Sequence, residues 1–431
     1  MAGIDCNQTH QNGKRILVIG SGGREHALAW KIAQSPLCRE LYVAPGNAGT
    51  SRWNIPYKAN DFDGLIRFAR EKAVDLTIVG PEDPLSLGIV DVFTAAGLKI
   101  FGPTKETAQL ESSKAFAKGI MEQAGVPTAR YQTFTEMAAA KKYINEVGAP
   151  IVLKADGLAA GKGVIVAQQL EEAIAGLEKL MGGSFGSAGE KVVIEEYLEG
   201  QEVSLLCFCD GQTAVPMVAV QDHKRALDGD CGLNTGGMGT YSPPPFWTKD
   251  LEQEVIDRIA LPTLKVMRAR GTPFKGVLFL GLMITKQGPK VLEYNVRFGD
   301  PETQVVMMLL KSDLLPILEA CIEGSLCQQK IEWYTEAALC VIMASRGYPG
   351  SYETGIPIVL PELTAENQVI FHAGTALKET GLVSSGGRVL GVTVREKSLV
   401  KARESAYNII KRIEFPNAHY RTDIGLKGLR S

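Results

Sequence analysis

Lys154-Ala-Asp-Gly157-Leu-Ala-Ala-Gly161-Lys162-Gly163-Val164 lies between two short apolar runs, 149–155 and 164–167. It is not a Walker loop: only three residues separate Gly157 from Gly161, and Gly163 stands where Ser or Thr is required. It reads as a glycine-rich turn between two strands. Its backbone amides can close over a polyphosphate while an ammonium group neutralises charge. A plain exposed hairpin turn would not need glycine at 157, 161 and 163 and lysines at both ends.

Downstream the pattern predicts a helix near 170–181, a second glycine loop at 182–189 and a strand at 191–196, which together make a small α+β subdomain. Upstream, 113–145 reads as helical, broken at Gly125-Val126-Pro127. The block 202–311 is strand-rich (203–209, 213–220, 277–284, 290–294), with a long helix near 249–270. Beyond 331 come strands at 337–345 and 388–394 and a closing helix at 399–413. Before all of this, four apolar runs (16–19, 41–43, 76–79 and 99–101) each end in a Gly- or Pro-rich turn and alternate with helical stretches such as 25–33 and 62–72. Unbroken apolar strands alternating with helices indicate a parallel sheet covered on both faces, with ligands at its carboxyl edge. The fold class is α/β. The expected divisions are a polar leader at 1–14, an α/β domain at 15–115, a central region at 116–330 with a lid at about 127–195, and a last domain at 331–431.

Composition narrows the field. The 431 residues carry 46 Lys plus Arg against 48 Asp plus Glu, a formal charge of −2. Such balance excludes a protein that grips nucleic acid by bulk charge. No apolar run approaches the ~20 residues of a membrane span, and the first dozen residues do not read as a signal peptide. The eight cysteines show no C-x-x-C pair, and Cys207 and Cys209 sit in an apolar strand, where packing is their expected role. Reduced thiols and a cytoplasmic enzyme are the expectation.

Four further stretches carry chemistry. Gly20-Ser-Gly22-Gly23-Arg24-Glu25 follows a strand and opens a helix, but Glu25 replaces the third glycine of a dinucleotide fingerprint, which leaves an amide-rich turn suited to a small anion. Glu195-Glu-Tyr-Leu198-Glu-Gly-Gln-Glu202 reads either as a surface hairpin or as a hinge facing adenine, with a carboxylate for the ribose hydroxyls. Glu293-Tyr-Asn295-Val-Arg297 puts two oxygen ligands and an arginine on one strand face, a pattern that suits Mg²⁺ and a phosphate or carboxylate; a buried salt-bridged strand is the plainer reading. Finally, Gln221-Asp222-His223-Lys224-Arg225 precedes a glycine loop, 234–239, and His223 reads more readily as a hydrogen-bonded histidine than as a catalyst.

Taken in order, GSGGREHALAWK (20–31), APGNAGT (44–50), GPEDPL (80–85), FGPT (101–104), ESSKAFAK (111–118), KADGLAAGKGV (154–164), QDHKR (221–225), NTGGMG (234–239), RFGDPE (297–302), HAGTALK (372–378) and SSGGRVL (384–390) resemble the ATP-grasp superfamily, and within it the glycinamide ribonucleotide synthetases. The resemblance covers essentially everything after residue 14. It implies an N-terminal parallel-sheet domain, an ATP-grasp fold and a small C-terminal α/β domain. It also implies a ligase that joins glycine to 5-phosphoribosylamine with ATP, through glycyl phosphate, in purine synthesis. By the resemblance, Lys114 and Lys154 touch the ATP phosphates beneath a lid that includes Gly161 and Gly163. Glu195 and the Leu198 backbone border adenine, Glu202 the ribose, and Glu293 and Asn295 bind Mg²⁺ or Mn²⁺. Arg297 holds the glycine carboxylate or the transferring phosphate, Asp222 the glycine ammonium, and Gly22, Gly23, Asn47 and Glu82 the ribosylamine. Arg297, Asp222 and Lys154 form the catalytic set. Many superfamily members carry another acidic ligand on the preceding strand, where Gly281 stands here. The expected partners are these small molecules alone, in a monomer or weak dimer. Other readings are a different carboxylate–amine ligase, an NAD-linked oxidoreductase, against which Glu25 argues, and a non-catalytic nucleotide-binding module.

Overall fold

The four N-terminal runs form one all-parallel sheet in the order Cys38–Pro45, Lys14–Gly20, Leu76–Val79, Ile100–Phe101. The computed structural model describes residues 13–158, 163–183 and 186–429. Alternate side chains of the central strand enter different cores. Ile16 and Val18 join Leu28 and Ile32 of helix Gly23–Ile32, whereas Leu17 and Ile19 join Leu65 of helix Phe62–Glu71. Burial on both faces is why these strands read as unbroken apolar runs.

The strand order reverses between Lys14–Gly20 and Leu76–Val79, so the turns after them flank one crevice. The Glu25 side chain fills it. A Cβ on Gly80 would stand 2.0 Å from Glu25 Oε1, and one on Gly20 (φ +128°) 2.4 Å from Glu25 Cγ. Glu25 Oε2 accepts the Gly22 amide at 2.5 Å. The carboxylate thus caps its own helix where a dinucleotide would set its pyrophosphate.

Helix Lys114–Ala124 ends at Gly125, whose φ of +65° is left-handed. Then comes the lid, an antiparallel sheet in the order Tyr131–Phe134, Val192–Glu196, Ile151–Ala155, Val164–Ala167, with helices Met137–Val147 and Leu170–Met181. It has its own core around Phe134, Leu153, Leu177 and Ile194. Strand Tyr131–Phe134 corrects the expectation of helix through 113–145; its β-forming Tyr, Thr and Phe pair with Val192–Glu196 after the Pro127 break.

A second antiparallel sheet runs Ala214–Pro216, Gln201–Asp210, Lys275–Thr285, Gly288–Asn295. The strand expected over 213–220 is interrupted after Pro216 and resumes only as a Ser204–Val220 bridge. The long helix at 249–270 carries a π turn at Ile256–Ala260, where Leu261 N–H reaches back to the Ile256 carbonyl. Pro262, with no N–H, cannot continue the regular ladder there.

The C-terminal sheet runs Gln221–Asp222, Gly239–Ser242, Ala337–Ala344, Arg388–Glu396, Gln368–His372. Two of its five strands come from the central region, so the chain division near 331 is not a division between sheets. Among the described residues no helix is long and apolar enough to cross a membrane.

Gly80→Ala is expected to cost about 1–3 kcal/mol by overpacking against Glu25, measured by urea unfolding, and clearly less in a Glu25→Ala background.

Candidate active site

Between the lid sheet and the second sheet opens a cleft of about 1180 Å³. Its lining includes Val152 and Val166 of the lid together with Met121, Leu198, Met283 and Leu292, apolar side chains that suit a flat heterocycle.

Glu195, near the end of strand Val192–Glu196, sits between two lysines. Lys154 Nζ is 3.0 Å from Oε2 and Lys118 Nζ is 3.2 Å from Oε1, and all three residues are buried. Lys154 also donates to the Leu292 carbonyl at 2.8 Å. That carbonyl lies at a β-bulge, where Gly281 faces Glu293 and Leu282 faces Val291, so Leu292 has no partner residue in the ladder. Lys118 donates to Thr128 Oγ1 at 2.8 Å, and that hydroxyl donates to the Val291 carbonyl at 2.6 Å. Burial pulls the Lys118 ammonium down to about 8 against the opposing pull of Glu195. Lys114 Nζ donates to the Gly157 carbonyl at 3.0 Å, and burial lowers its pKa. Gly163 closes the far side of the same turn, its carbonyl accepting Ala155 N–H at 2.8 Å. Gly161 lies outside the described residues.

Glu293 and Asn295 both line the cleft. Burial would raise Glu293, but Lys224, Lys154 and Lys114 outweigh it and hold the carboxyl below its usual value. Lys224 Nζ is 3.7 Å from Glu293 and also pairs closely with Glu202. An ionised carboxylate and an amide oxygen form an oxygen-only donor pair, which fits a hard divalent cation completed by phosphate oxygens and water. Among the described residues no group of three or more His, Cys, Asp or Glu could hold a metal by itself. Opposite Glu293, a Cβ on Gly281 would come within 3.2 Å of Glu293 Cγ.

Arg297 is held by two carboxylates. Glu111 Oε1 lies 2.9 Å from Nη2 and Glu82 Oε2 lies 3.3 Å from Nε, while Asn295 Oδ1 accepts from Nη2 at 3.4 Å. Burial would raise Glu82, yet Arg297 and Arg24 hold it at about 2. Asp222 is half-buried, its Oδ1 buried and unpartnered, and desolvation together with Glu302 pushes its carboxyl well up. Behind it, a Cβ on Gly237 (φ +112°) would stand 2.8 Å from both carboxylate oxygens. His223 is buried, its Nδ1 is 2.9 Å from the Gly239 carbonyl, and burial and Lys427 lower it to about 4, a neutral histidine in a packing role.

The N-terminal set divides. Glu82 reaches the cleft beside Arg24. Asn47 does not line it: its amide donates to the Ser21 and His372 carbonyls at 2.8 Å each and its oxygen accepts Gly49 N–H at 2.8 Å. It ties the turn holding Gly22 and Gly23 to the C-terminal sheet.

Sequence reasoning passed over Glu111, Lys118 and Arg388. Lys118 sits one turn after Lys114 on helix Lys114–Ala124, a spacing that could have drawn it in, whereas Glu111 lies on the short helix Gln109–Ser112 beyond the extended Ser113 and carries no such signal. Arg388, on the C-terminal sheet, donates to the Gly236 and Asp300 carbonyls at 2.6 Å each and pairs with Asp300 at 3.3 Å.

A cleft between two antiparallel sheets with apolar residues in its lining, lysines buried in its wall and an acidic–amide pair on the facing strand define an ATP-grasp enzyme. The chain matches the phosphoribosylglycinamide synthetase N domain over residues 14–111, its ATP-grasp (A) domain over 112–303 and its C domain over 338–427. It belongs to the phosphoribosylamine–glycine ligase family and is an ATP-dependent ligase of purine biosynthesis. It is similar to the phosphoribosylamine–glycine ligases of Rhizobium meliloti (strain 1021), at 51% identity over 96% of this chain and 99% of the relative, and Escherichia coli O157:H7, at 52% over 96% and 99%. Among solved structures it resembles the Thermotoga maritima phosphoribosylamine–glycine ligase, with TM-score 0.83, 35% identity and coverage of 95% of this chain and all of that one. Biotin carboxylase from Campylobacter jejuni, solved as a β,γ-ATP complex, shares the fold at TM-score 0.72 and 16% identity, over 96% of this chain and 94% of that one.

Glu195→Gln leaves two buried ammonium groups without their carboxylate and is expected to cost ~3–5 kcal/mol near neutral pH. Without Glu195, Lys118 titrates below about 8 in the folded state, against 10.5 ordinarily. The unfolded chain then binds more protons across that window, and stability rises with pH. Urea unfolding should show the penalty narrowing as pH climbs toward 8.

Proposed function

We propose that the chain joins glycine to 5-phosphoribosylamine in two steps through glycyl phosphate, giving glycinamide ribonucleotide, ADP and phosphate. A glycine carboxylate oxygen attacks the γ-phosphorus of ATP and the bond to ADP breaks. The ribosylamine nitrogen then attacks the acyl carbon, the C–O bond to phosphate breaks, and the amine proton is lost. A carboxylate is a poor electrophile, and phosphorylation cures that. What the protein supplies is placement and charge rather than a covalent nucleophile.

The observation that carries this reading is the convergence of Lys114, Lys154, Glu293, Asn295 and Arg297 on one cleft. Adenine takes the apolar lining beside Glu195 and the Leu198 backbone, and Glu202 faces the ribose. Lys114 and Lys154 take the phosphates beside Gly157 and Gly163, and the ATP-binding role given to Gly161 is a proposal from the sequence alone. Glu293 and Asn295 hold Mg²⁺ or Mn²⁺, which when bound offsets phosphate charge. Arg297 takes the glycine carboxylate, then the phosphoryl group it acquires. Asp222 receives the glycine ammonium, a positive charge that relieves its repulsion with Glu302. Glu82 faces the ribosylamine, and Asn47 acts by holding the Gly22–Gly23 turn.

With ATP, Mg²⁺ and glycine, hydroxylamine offered in place of the ribosylamine should yield glycine hydroxamate and ADP; ADP release with no hydroxamate would count against the acyl phosphate. Glu293→Gln should lower turnover on the order of 10²–10⁴-fold, the equivalent of several kcal/mol of lost charge stabilisation, with little change in melting temperature. Normal turnover at limiting Mg²⁺ would remove Glu293 from the metal site.

A further inference from the structure

Glu111 opens the 111–118 motif, has no part in the scheme above, and lies buried in the wall of the cleft. Its two oxygens do different things. Oε2 accepts the Val296 backbone N–H at 2.8 Å, while Oε1 lies 2.9 Å from Arg297 Nη2. One carboxylate therefore grips the main chain just before Arg297 and the guanidinium itself, at the exit of the strand that carries Glu293 and Asn295.

The other anion on Arg297 is held differently. Glu82 reaches Nε at 3.3 Å, with its side chain 31% exposed against 7% for Glu111, and it is shared with Arg24 at 3.7 Å. It comes from helix Glu82–Leu87 of the N-terminal domain, whereas Glu111 belongs to the segment leading into the ATP-grasp domain. Arg297 thus has one fixed, dry partner and one wetter partner on its cleft side. A guanidinium presents several N–H donors in a rigid fork, so one edge can stay anchored while another changes partner.

We infer that Glu111 is a positioning residue for the ligase reaction: it fixes the Arg297 guanidinium in register with Glu293 and Asn295 and leaves the edge facing Glu82 to the anionic group of the substrate. The inference rests on the role proposed for Arg297. If Glu111 served only to neutralise a buried arginine, its loss would show as instability. If it aims the guanidinium, its loss shows as slow chemistry on enzyme that still binds ATP, because small misplacements of a reacting group are costly in rate.

The test is a double-mutant cycle on the full chain, read as kcat, KM for ATP and melting temperature. Glu111→Gln keeps an acceptor for the Val296 amide and loses the ion pair; kcat is expected to fall roughly 10–100-fold with KM for ATP unchanged. In an Arg297→Met background the same change should cost nothing further. Glu111→Asp, which keeps the charge but retracts it by one methylene, guards against a variant that does not fold and should also lose turnover. Wild-type turnover in Glu111→Asp, or losses that multiply in the double variant, would overturn the inference while leaving Arg297 its role. Full activity in Arg297→Met would overturn both.

Discussion

A pocket that receives a polyphosphate must bury cations, and a buried cation without a partner costs several kcal/mol. Nearly every feature of this cleft follows from that constraint. Glu195 serves Lys118 and Lys154 at once, Lys224 lies between Glu202 and Glu293, and Arg297 between Glu111 and Glu82. Backbone carbonyls complete the set, Gly157 accepting from Lys114 and Leu292 giving Lys154 a second partner beside Glu195. The second of these uses a β-bulge, an irregularity that leaves one residue of the ladder without a partner. The charges are therefore set in place by the fold itself, which is the condition for electrostatic stabilisation that needs no rearrangement during reaction.

The same logic explains why three sheets meet at one site. The lid sheet contributes Lys154 and Glu195, and the facing sheet contributes Glu202, Glu293 and Asn295. The C-terminal sheet contributes Asp222 and, through Arg388, grips the loops at Gly236 and Asp300. A side chain in place of the Gly236 hydrogen would meet the Arg388 guanidinium carbon at 2.9 Å, so the glycines of the 234–239 loop serve close packing rather than mobility.

Much of this was legible in the residues. The N-terminal sheet announced itself because strands buried on both faces have no polar alternation to obscure them, and Glu25 rightly argued against a dinucleotide because its side chain fills the crevice. Glu293 and Asn295 fell together because strand side chains two apart share a face, whereas Arg297 lies in the bend just past the strand end at Asn295, so strand alternation does not account for its place. What stayed hidden depends on distant partners. Strand Tyr131–Phe134 is only four residues long and gains its identity from Val192–Glu196. Strands Thr375–Lys378 and Gly381–Ser384 have no apolar run long enough to stand out. The pairing of Glu111 with Arg297 spans 186 positions, and no local pattern encodes it. Asn47 shows the reverse: a polar residue in a suggestive motif spends its hydrogen bonds on the backbone.

The provenance of the C-terminal sheet has a consequence for biosynthesis. Strand Ala337–Ala344 pairs on one side with Gly239–Ser242 and on the other with Arg388–Glu396. Until residues 337–344 have been made, Gly239–Ser242 pairs only with the two-residue strand Gln221–Asp222 and presents its other edge bare to its surroundings. The terminal module is thus no cassette that could be cut away or exchanged; it is finished only when the chain's tail returns to strands laid down long before.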